Sequence, residues 1–118
     1  MAAKICLSEN TVNPTIAVTK DVTTLINVFA VEPENQQKLL ELLRENTENV
    51  IAKLAGWIST SFIAAADHKK VVIYSQWRDL AAIAAMRTNP EMMAYFPRIA
   101  AIATIESMAG DVVYSHSA

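Results

Sequence analysis

Residues 71–80, VVIYSQWRDL, decide the fold that this sequence can adopt. Three apolar residues and a tyrosine lead into polar groups and Trp77, and the charged pair Arg78 and Asp79 follows. β-branched and aromatic residues are enriched in strands, and aspartate is a favourable N-cap for a helix. The stretch therefore predicts a strand that ends at Trp77, followed by a helix over LAAIAAMR that Asp79 caps.

The predicted strand offers two different surfaces, because alternate side chains of a strand point to the same face of its sheet. One face carries Val71, Ile73, Ser75 and Trp77, and the other face carries Val72, Tyr74 and Gln76. Trp77 and Tyr74 therefore lie on opposite faces.

The segments before this strand predict two more strands and a helix. WISTSFIAA (57–65) precedes a short polar turn, which predicts an antiparallel hairpin. TTLINVFAV (23–31) is rich in β-branched residues, which favours a strand buried on both faces. Between them, apolar residues recur at three- and four-residue steps typical of a helix, with Pro33 in its first turn and Gly56 at its end.

The segments after this strand predict helical pieces and one more strand. The second helix is expected to stop near Asn89 and Pro90. Pro90 and Pro97 suit the starts of short helical pieces, and the Ala-rich residues 98–104 are expected to continue helical. After Gly110, the run DVVYSHS predicts the last strand.

The predicted order is strand, helix, strand, strand, helix, strand. This βαββαβ order indicates a ferredoxin-like α+β sandwich with helices on one face of an antiparallel sheet. Residues 21–118 form this domain, and residues 1–20 are expected to be an N-terminal arm. The uncovered sheet face is also fairly apolar, so a second subunit is expected to cover it in a homodimer.

The composition agrees with one small oligomeric domain. The 118 residues are 53% hydrophobic and 19% charged, against usual shares of about 45–50% and about 25%. A net charge of −2 and the absence of long basic runs argue against nucleic acid as a partner. No stretch is long and apolar enough to span a membrane. We expect a cytoplasmic protein in which Cys6, the only cysteine, is an ordinary thiol.

The sequence offers few materials for the common catalytic centres. With two glycines, one cysteine and two histidines, it lacks a glycine-rich phosphate loop, a Ser-His-Asp order and metal-ligand spacing. His68 lies in the predicted hairpin turn, where it is expected to be solvated, and His116 has no acidic residue nearby in sequence to orient it. We therefore expect no metal and no phosphate-containing cofactor.

Four segments together resemble the antibiotic biosynthesis monooxygenase family: INVFAVEPENQQKLLELL, LAGWIST, VVIYSQWRDLAAIAAMRTNPEM and DVVYSHS. The resemblance covers roughly residues 23–116, and GWIST and the closing QW are its most specific parts. It implies a dimeric α/β barrel in which the Trp77 face of the strand lines a pocket and the Tyr74 face meets the partner. It also implies addition of oxygen to a phenolic or quinol-like aromatic ligand with O2, without metal, flavin or haem.

Residues of the polyketide-oxidising relatives carry over only in part. Their strand tryptophan matches Trp77, but the asparagine four residues before it falls on Ile73. Their helix tyrosine falls on Ile83, and their arginine falls near Phe96, with Arg98 as a substitute two places on. Most polar positions of the site have therefore become apolar.

Other branches of the family fit less well. The histidines of quinol-oxidising relatives fall on Ala85 or Met86 and on Glu91. The strand asparagine of the haem-degrading branch resembles Asn27, but its helix tryptophan falls on Met86 and its haem-ligating histidine on Phe96. Haem degradation is therefore a distant third function.

The candidate catalytic residues are Asn27, Trp77, Tyr95 and Arg98. We expect Trp77 to stack on the substrate, Asn27 to hydrogen-bond its oxygen, and Tyr95 or Arg98 to steady negative charge at the entrance. The predicted lining of the pocket is Phe29, Ile73, Ser75, Ile83, Met86, Met92 and Phe96.

Each candidate also has a purely structural interpretation. Trp77 can be a core aromatic whose indole N–H finds a backbone carbonyl, and Asn27 can pair with backbone instead of pointing into a cavity. Methionines commonly fill gaps in a core, and Tyr95 and Arg98 can be an exposed pair that caps a helix. The same fold without catalysis, as a binding or regulatory module, is the alternative function.

Overall fold

The computed structural model describes residues 16–118. Cys6 and most of the predicted N-terminal arm lie outside the described residues. Strands and helices in chain order are β1 Thr23–Val31, α1 Gln36–Asn49, β2 Trp57–Ala64, β3 Lys70–Trp77, α2 Leu80–Thr88, α3 Pro90–Ala100 and β4 Ala103–Gly110. Short 3₁₀ turns at Pro33–Asn35 and Ile51–Lys53 flank α1.

The four strands form one antiparallel sheet in the order β2-β3-β1-β4. β1 is one of the two central strands, and its Asn27 pairs with Ile73 of β3 on one side and Ser107 of β4 on the other. The order confirms the predicted ferredoxin-like sandwich and the β2-β3 hairpin. Because paired residues share a face, the register also decides which side chains of neighbouring strands can meet.

The start of α1 agrees with the sequence, but its end does not. Pro33 opens the 3₁₀ turn before α1, where a missing N–H costs nothing. The prediction that Gly56 ends this helix is wrong, because α1 ends at Asn49 and a 3₁₀ turn follows. Gly56 instead has a φ of +87° just before β2, and a Cβ there would lie 2.5 Å from the Cβ of Ala82 in α2.

Side-chain caps fix the starts of α2 and α3. The Asp79 carboxylate accepts a hydrogen bond of 2.8 Å from the backbone N–H of Ala82, as the sequence predicts. Asn89 caps α3 in the same way, with Pro90 as its first residue. The expectation that Pro97 starts a helical piece is wrong, because Pro97 lies inside the continuous α3.

The last strand lies earlier in the chain than predicted. The predicted helix over residues 98–104 holds only for 98–100, since α3 ends at Ala100 and β4 begins at Ala103. β4 pairs with β1 along its whole length, and the other edge of β1 is already occupied by β3. DVVYSHS therefore has no free edge of β1 to join, and residues 111–118 have no regular structure.

The core lies between the sheet and the helices and has two centres. One surrounds Trp77 with Leu25 and Ile83, and the other surrounds Leu39 with Val71. The helices cover only one sheet face, as predicted. No helix among residues 16–118 has the length and apolar character that crossing a membrane requires.

Candidate active site

A cavity of about 600 Å³ lies between the sheet and the helices, where the two core centres do not fill the space. Its size is within the range of about 300–1,000 Å³ that small-molecule pockets have. Eight predicted site residues border it: Asn27, Phe29, Ile73, Ser75, Trp77, Met86, Met92 and Phe96. The sheet supplies one wall, and the helices supply the facing wall.

Trp77 forms a fixed aromatic part of the sheet wall. It is 1% exposed, and its Nε1 donates a hydrogen bond of 3.1 Å to the hydroxyl of Ser75. That hydroxyl in turn donates to the carbonyl of Leu25 at 3.3 Å. Because the indole N–H is already bonded and the side chain is almost fully buried, Trp77 offers a ligand no hydrogen-bond donor.

Asn27 supplies a polar group on the sheet wall. Its Oδ1 accepts a hydrogen bond from the hydroxyl of Ser107, its neighbour across β1 and β4. Both side chains border the cavity, so Asn27 is not tied to the backbone. No residue among 16–118 accepts a hydrogen bond from its Nδ2, which leaves that donor for a ligand oxygen.

Asn46 is a buried amide of the helix wall that the sequence analysis missed. It is 2% exposed, and its Nδ2 lies 3.2 Å from the sulfur of Met92, a weak acceptor. Its Oδ1 is buried without a partner among the described residues, which costs roughly 1–3 kcal/mol. Its place in sequence, three residues after Leu43 on the apolar face of α1, was the signal that could have revealed it.

Arg87 is a second lining residue that the sequence analysis missed. It follows Met86 in the last turn of α2, and among residues 16–118 it forms no ion pair. Arg87 is therefore an exposed, positively charged residue that borders a mainly apolar cavity. Thr47 and Thr60 also border the cavity.

Three predicted site residues lie outside this lining. Ile83 is a fully buried core residue of α2. The hydroxyl of Tyr95 donates to the carboxylate of Glu45 at 2.7 Å, and Arg98 contacts the same carboxylate at 3.2 Å. The guanidinium of Arg98 also lies 5.0 Å from the centre of the Tyr95 ring. The group is a surface cluster between α1 and α3, and it does not cap a helix.

The hydrogen bonds of this cluster shift two pKa values. The hydrogen bond from Tyr95 lowers the pKa of Glu45, and Arg98 adds to that effect. The same hydrogen bond raises the pKa of Tyr95, because the neutral phenol is the donor. Arg98 therefore forms an ion pair with a carboxylate, whereas Arg87 forms none among the described residues.

The histidines and acids do not form a metal site among residues 16–118, where no group of three possible ligands is found. His68 is exposed in the hairpin turn, as predicted, with its Nδ1 3.0 Å from Oε1 of Gln36. His116 stacks on Tyr114 in the C-terminal segment. Neither histidine borders the cavity.

Comparison with known proteins agrees with this arrangement. Residues 23–98 match the family described as antibiotic biosynthesis monooxygenase. The chain is 34% identical over 104 residues to tetracenomycin-F1 monooxygenase of Streptomyces glaucescens, covering 88% of this chain and 93% of that protein.

Solved structures share the fold at lower sequence identity. SnoaB, a cofactor-independent oxygenase from Streptomyces nogalater, is 18% identical with a TM-score of 0.68, covering 80% of this chain and 96% of its own. Rv0793 from Mycobacterium tuberculosis is also 18% identical, with a TM-score of 0.69, covering 81% and 99%.

Proposed function

Because the chain belongs to the antibiotic biosynthesis monooxygenase family and is a monooxygenase of that type, we propose that it oxidises an aromatic phenol or quinol-like molecule with O2 and no cofactor. The observation that carries this proposal is the apolar cavity beside Trp77. Its size suits a fused aromatic ring system, and an apolar wall excludes water from a reactive anion. The similarity to tetracenomycin-F1 monooxygenase supports a monooxygenase reaction.

The proposed reaction needs no external reductant. In an anthrone-like substrate, a phenol-activated CH2 group loses a proton, and the resulting anion gives an electron to O2. One oxygen atom ends as a new carbonyl on that carbon, and the other leaves as water. All four electrons that reduce O2 come from the CH2 group, which becomes C=O.

The protein groups that support this chemistry bind and stabilise charge. The Trp77 ring stacks on the substrate, and the Nδ2 of Asn27 donates to its oxygen. Arg87 stabilises the anion from the edge of the cavity, because a positive charge favours the deprotonated phenol. Arg87 replaces Tyr95 and Arg98 in this proposed role, since both of those bind Glu45.

Oxygen uptake by the chelator-treated protein tests the proposal. An anthrone and a dihydroquinone are the probes, and Trp77→Phe and Asn27→Ala are the variants. We expect both substitutions to lower kcat/KM by at least about tenfold. Trp57→Phe is the matched control, because Trp57 is half-buried and does not border the cavity. No uptake above buffer, together with tight binding of the probes, would instead support the non-catalytic binding module.

Haem degradation has little support from the cavity. Met86 and Phe96 border it where the haem-degrading branch has its tryptophan and its haem-ligating histidine, and no histidine lies in the lining. A haem titration is expected to leave the Soret band unchanged. A shifted Soret band would reopen this function.

We also propose that a second copy of the chain covers the sheet face opposite the helices. This bare face is defined by the apolar side chains Ile26, Val28, Ile63, Val72, Tyr74 and Met108, which the register brings onto one surface. Ile63 and Met108 are 56% and 61% exposed. An apolar patch of this kind is typical of a subunit interface.

A further inference from the structure

We infer that Asn46 selects substrates that carry a hydrogen-bond-donating hydroxyl on the side facing the helices. This inference rests on the proposed function, because it assigns a recognition role within the same cavity. Asn46 belongs to α1, on the wall opposite Asn27, and both it and its neighbour Met92 border the cavity.

The amide of Asn46 has no good partner of its own. Its Oδ1 is buried and unbonded among residues 16–118, and its Nδ2 has only the thioether of Met92. Buried polar groups in folded proteins are nearly always hydrogen-bonded, so an exception needs an explanation. Methionine is flexible and can move aside for a ligand, so a ligand group can reach this amide.

The neighbouring hydroxyls of the lining differ from Asn46 in this respect. The hydroxyl of Thr47 donates to the carbonyl of Leu43 at 2.9 Å, and that of Thr60 accepts from the indole of Trp57 at 2.8 Å. Ser75 both accepts and donates. Among the described residues, Asn46 is therefore the one buried lining residue whose side-chain oxygen accepts no hydrogen bond.

The missing partner must be a donor, since a carbonyl oxygen only accepts hydrogen bonds. A neutral hydroxyl or aryl amine suits an apolar wall, whereas a charged ammonium would lose too much solvation there. With Asn27 donating to an oxygen on the sheet wall, the cavity addresses two separate groups of one ring system. The substrate is therefore a fused aromatic compound with an oxygen at one end and a hydroxyl donor at the other.

Calorimetric titration under nitrogen tests this inference without any turnover. The probes are naphthalene-2,6-diol, 6-amino-2-naphthol, and 2-naphthol, which lacks the second donor. We expect the wild-type protein to bind the first two about tenfold or more tightly than 2-naphthol, because the unmatched amide stays unbonded with the third. Asn46→Leu should bind all three within about twofold of one another.

A matched variant and a stability measurement guard this test. Asn49→Leu, at an exposed position of α1 that does not border the cavity, should keep the wild-type preference. Asn46→Leu should melt at a higher temperature than the wild type, since leucine replaces an unpaired buried amide. A lower melting temperature, or failure to fold, would overturn the inference, because the amide would then support the helix.

The outcomes separate this inference from the proposed function. A preference for donors that persists in Asn46→Leu, or equal wild-type affinity for all three probes, would overturn the role of Asn46. Neither binding result would count against the monooxygenase proposal, which oxygen uptake tests separately. Conversely, if the anthrone and the dihydroquinone give no oxygen uptake while the Asn46-dependent binding preference is intact, the monooxygenase proposal is refuted for those two compounds and the recognition role stands.

Discussion

The two faces of the sheet carry similar alternating apolar residues, but their side chains differ in exposure. On the face toward the helices, Val71 and Trp77 are at most 1% exposed, whereas Ile63 and Met108 on the bare face are more than half exposed. The helices close the first face over a cavity and leave the second face uncovered. An apolar pattern thus assigns side chains to a face, but it does not say whether the space beside that face is filled, hollow or open.

A substitution that pushes α2 away from the covered face should lower the free energy of unfolding the most. Gly56→Ala places a Cβ 2.5 Å from the Cβ of Ala82 on a backbone with positive φ. Steric overlap and backbone strain together should lower the free energy of unfolding by roughly 2–4 kcal/mol, measured by denaturant titration. Gly110→Ala is the control, because open space surrounds Gly110. Equal, small effects at both glycines would contradict the close packing of α2.

A charge on the bare face should act on association instead. Ile26 lies between Tyr74 and Met108 in the register, so Ile26→Asp would bury an unpaired carboxylate in the proposed interface. We expect the dimer to weaken by at least about a hundredfold, read by sedimentation at several concentrations. A wild-type protein that is monomeric throughout would refute the proposed dimer.

Neighbouring valines of β3 compare the faces directly. Val71→Ala removes methyl groups from the covered core and should lower the free energy of unfolding by about 2 kcal/mol. Val72→Ala, on the bare face, should change the unfolding of the separated subunit by less than about 0.5 kcal/mol. Its effect should appear as protein-concentration dependence. If both substitutions lowered the free energy of unfolding of dilute protein by similar amounts, the two faces would not differ as described.

The surface cluster of Glu45, Tyr95 and Arg98 should have the smallest effect. The lowered pKa of Glu45 contributes stability above its ordinary value of 4.5, and this is lost as the pH falls through the folded value. The raised pKa of Tyr95 contributes stability that is lost as the pH rises above 10.0. Glu45→Gln should therefore lower Tm slightly between these limits. A difference that persists at lower pH would show a cause other than this ionisation.

The sequence predicts best those elements that caps, turns or alternation mark directly. β1 and the β2-β3 hairpin follow from their β-branched residues, and Asp79 marks the start of α2. β4 was misplaced because its residues, ATIESMAG, are largely exposed on both faces and so lack an alternating pattern. The edge it occupies becomes evident only once β1 is seen to be paired on both sides.

The site is less predictable than the fold for a physical reason. Residues that border a cavity are the same types that fill a core, so Phe29 and Met92 read alike in either role. Trp77 and Asn27 were found through the family resemblance, whereas Arg87 and Asn46 required the spatial arrangement of α1 and α2. A polar residue at an apolar helical position was the one sequence signal available for Asn46.

The central claim is that the covered face encloses a cavity in which an aromatic anion reacts with O2 without a cofactor. Turnover of an anthrone by the chelator-treated protein under isotopically labelled O2 tests this most directly. The account predicts one labelled oxygen atom in each product molecule, one O2 consumed per product, no added reductant, and strong dependence on Trp77 and Asn27. Product without label, or turnover unchanged in Trp77→Phe and Asn27→Ala, would contradict it.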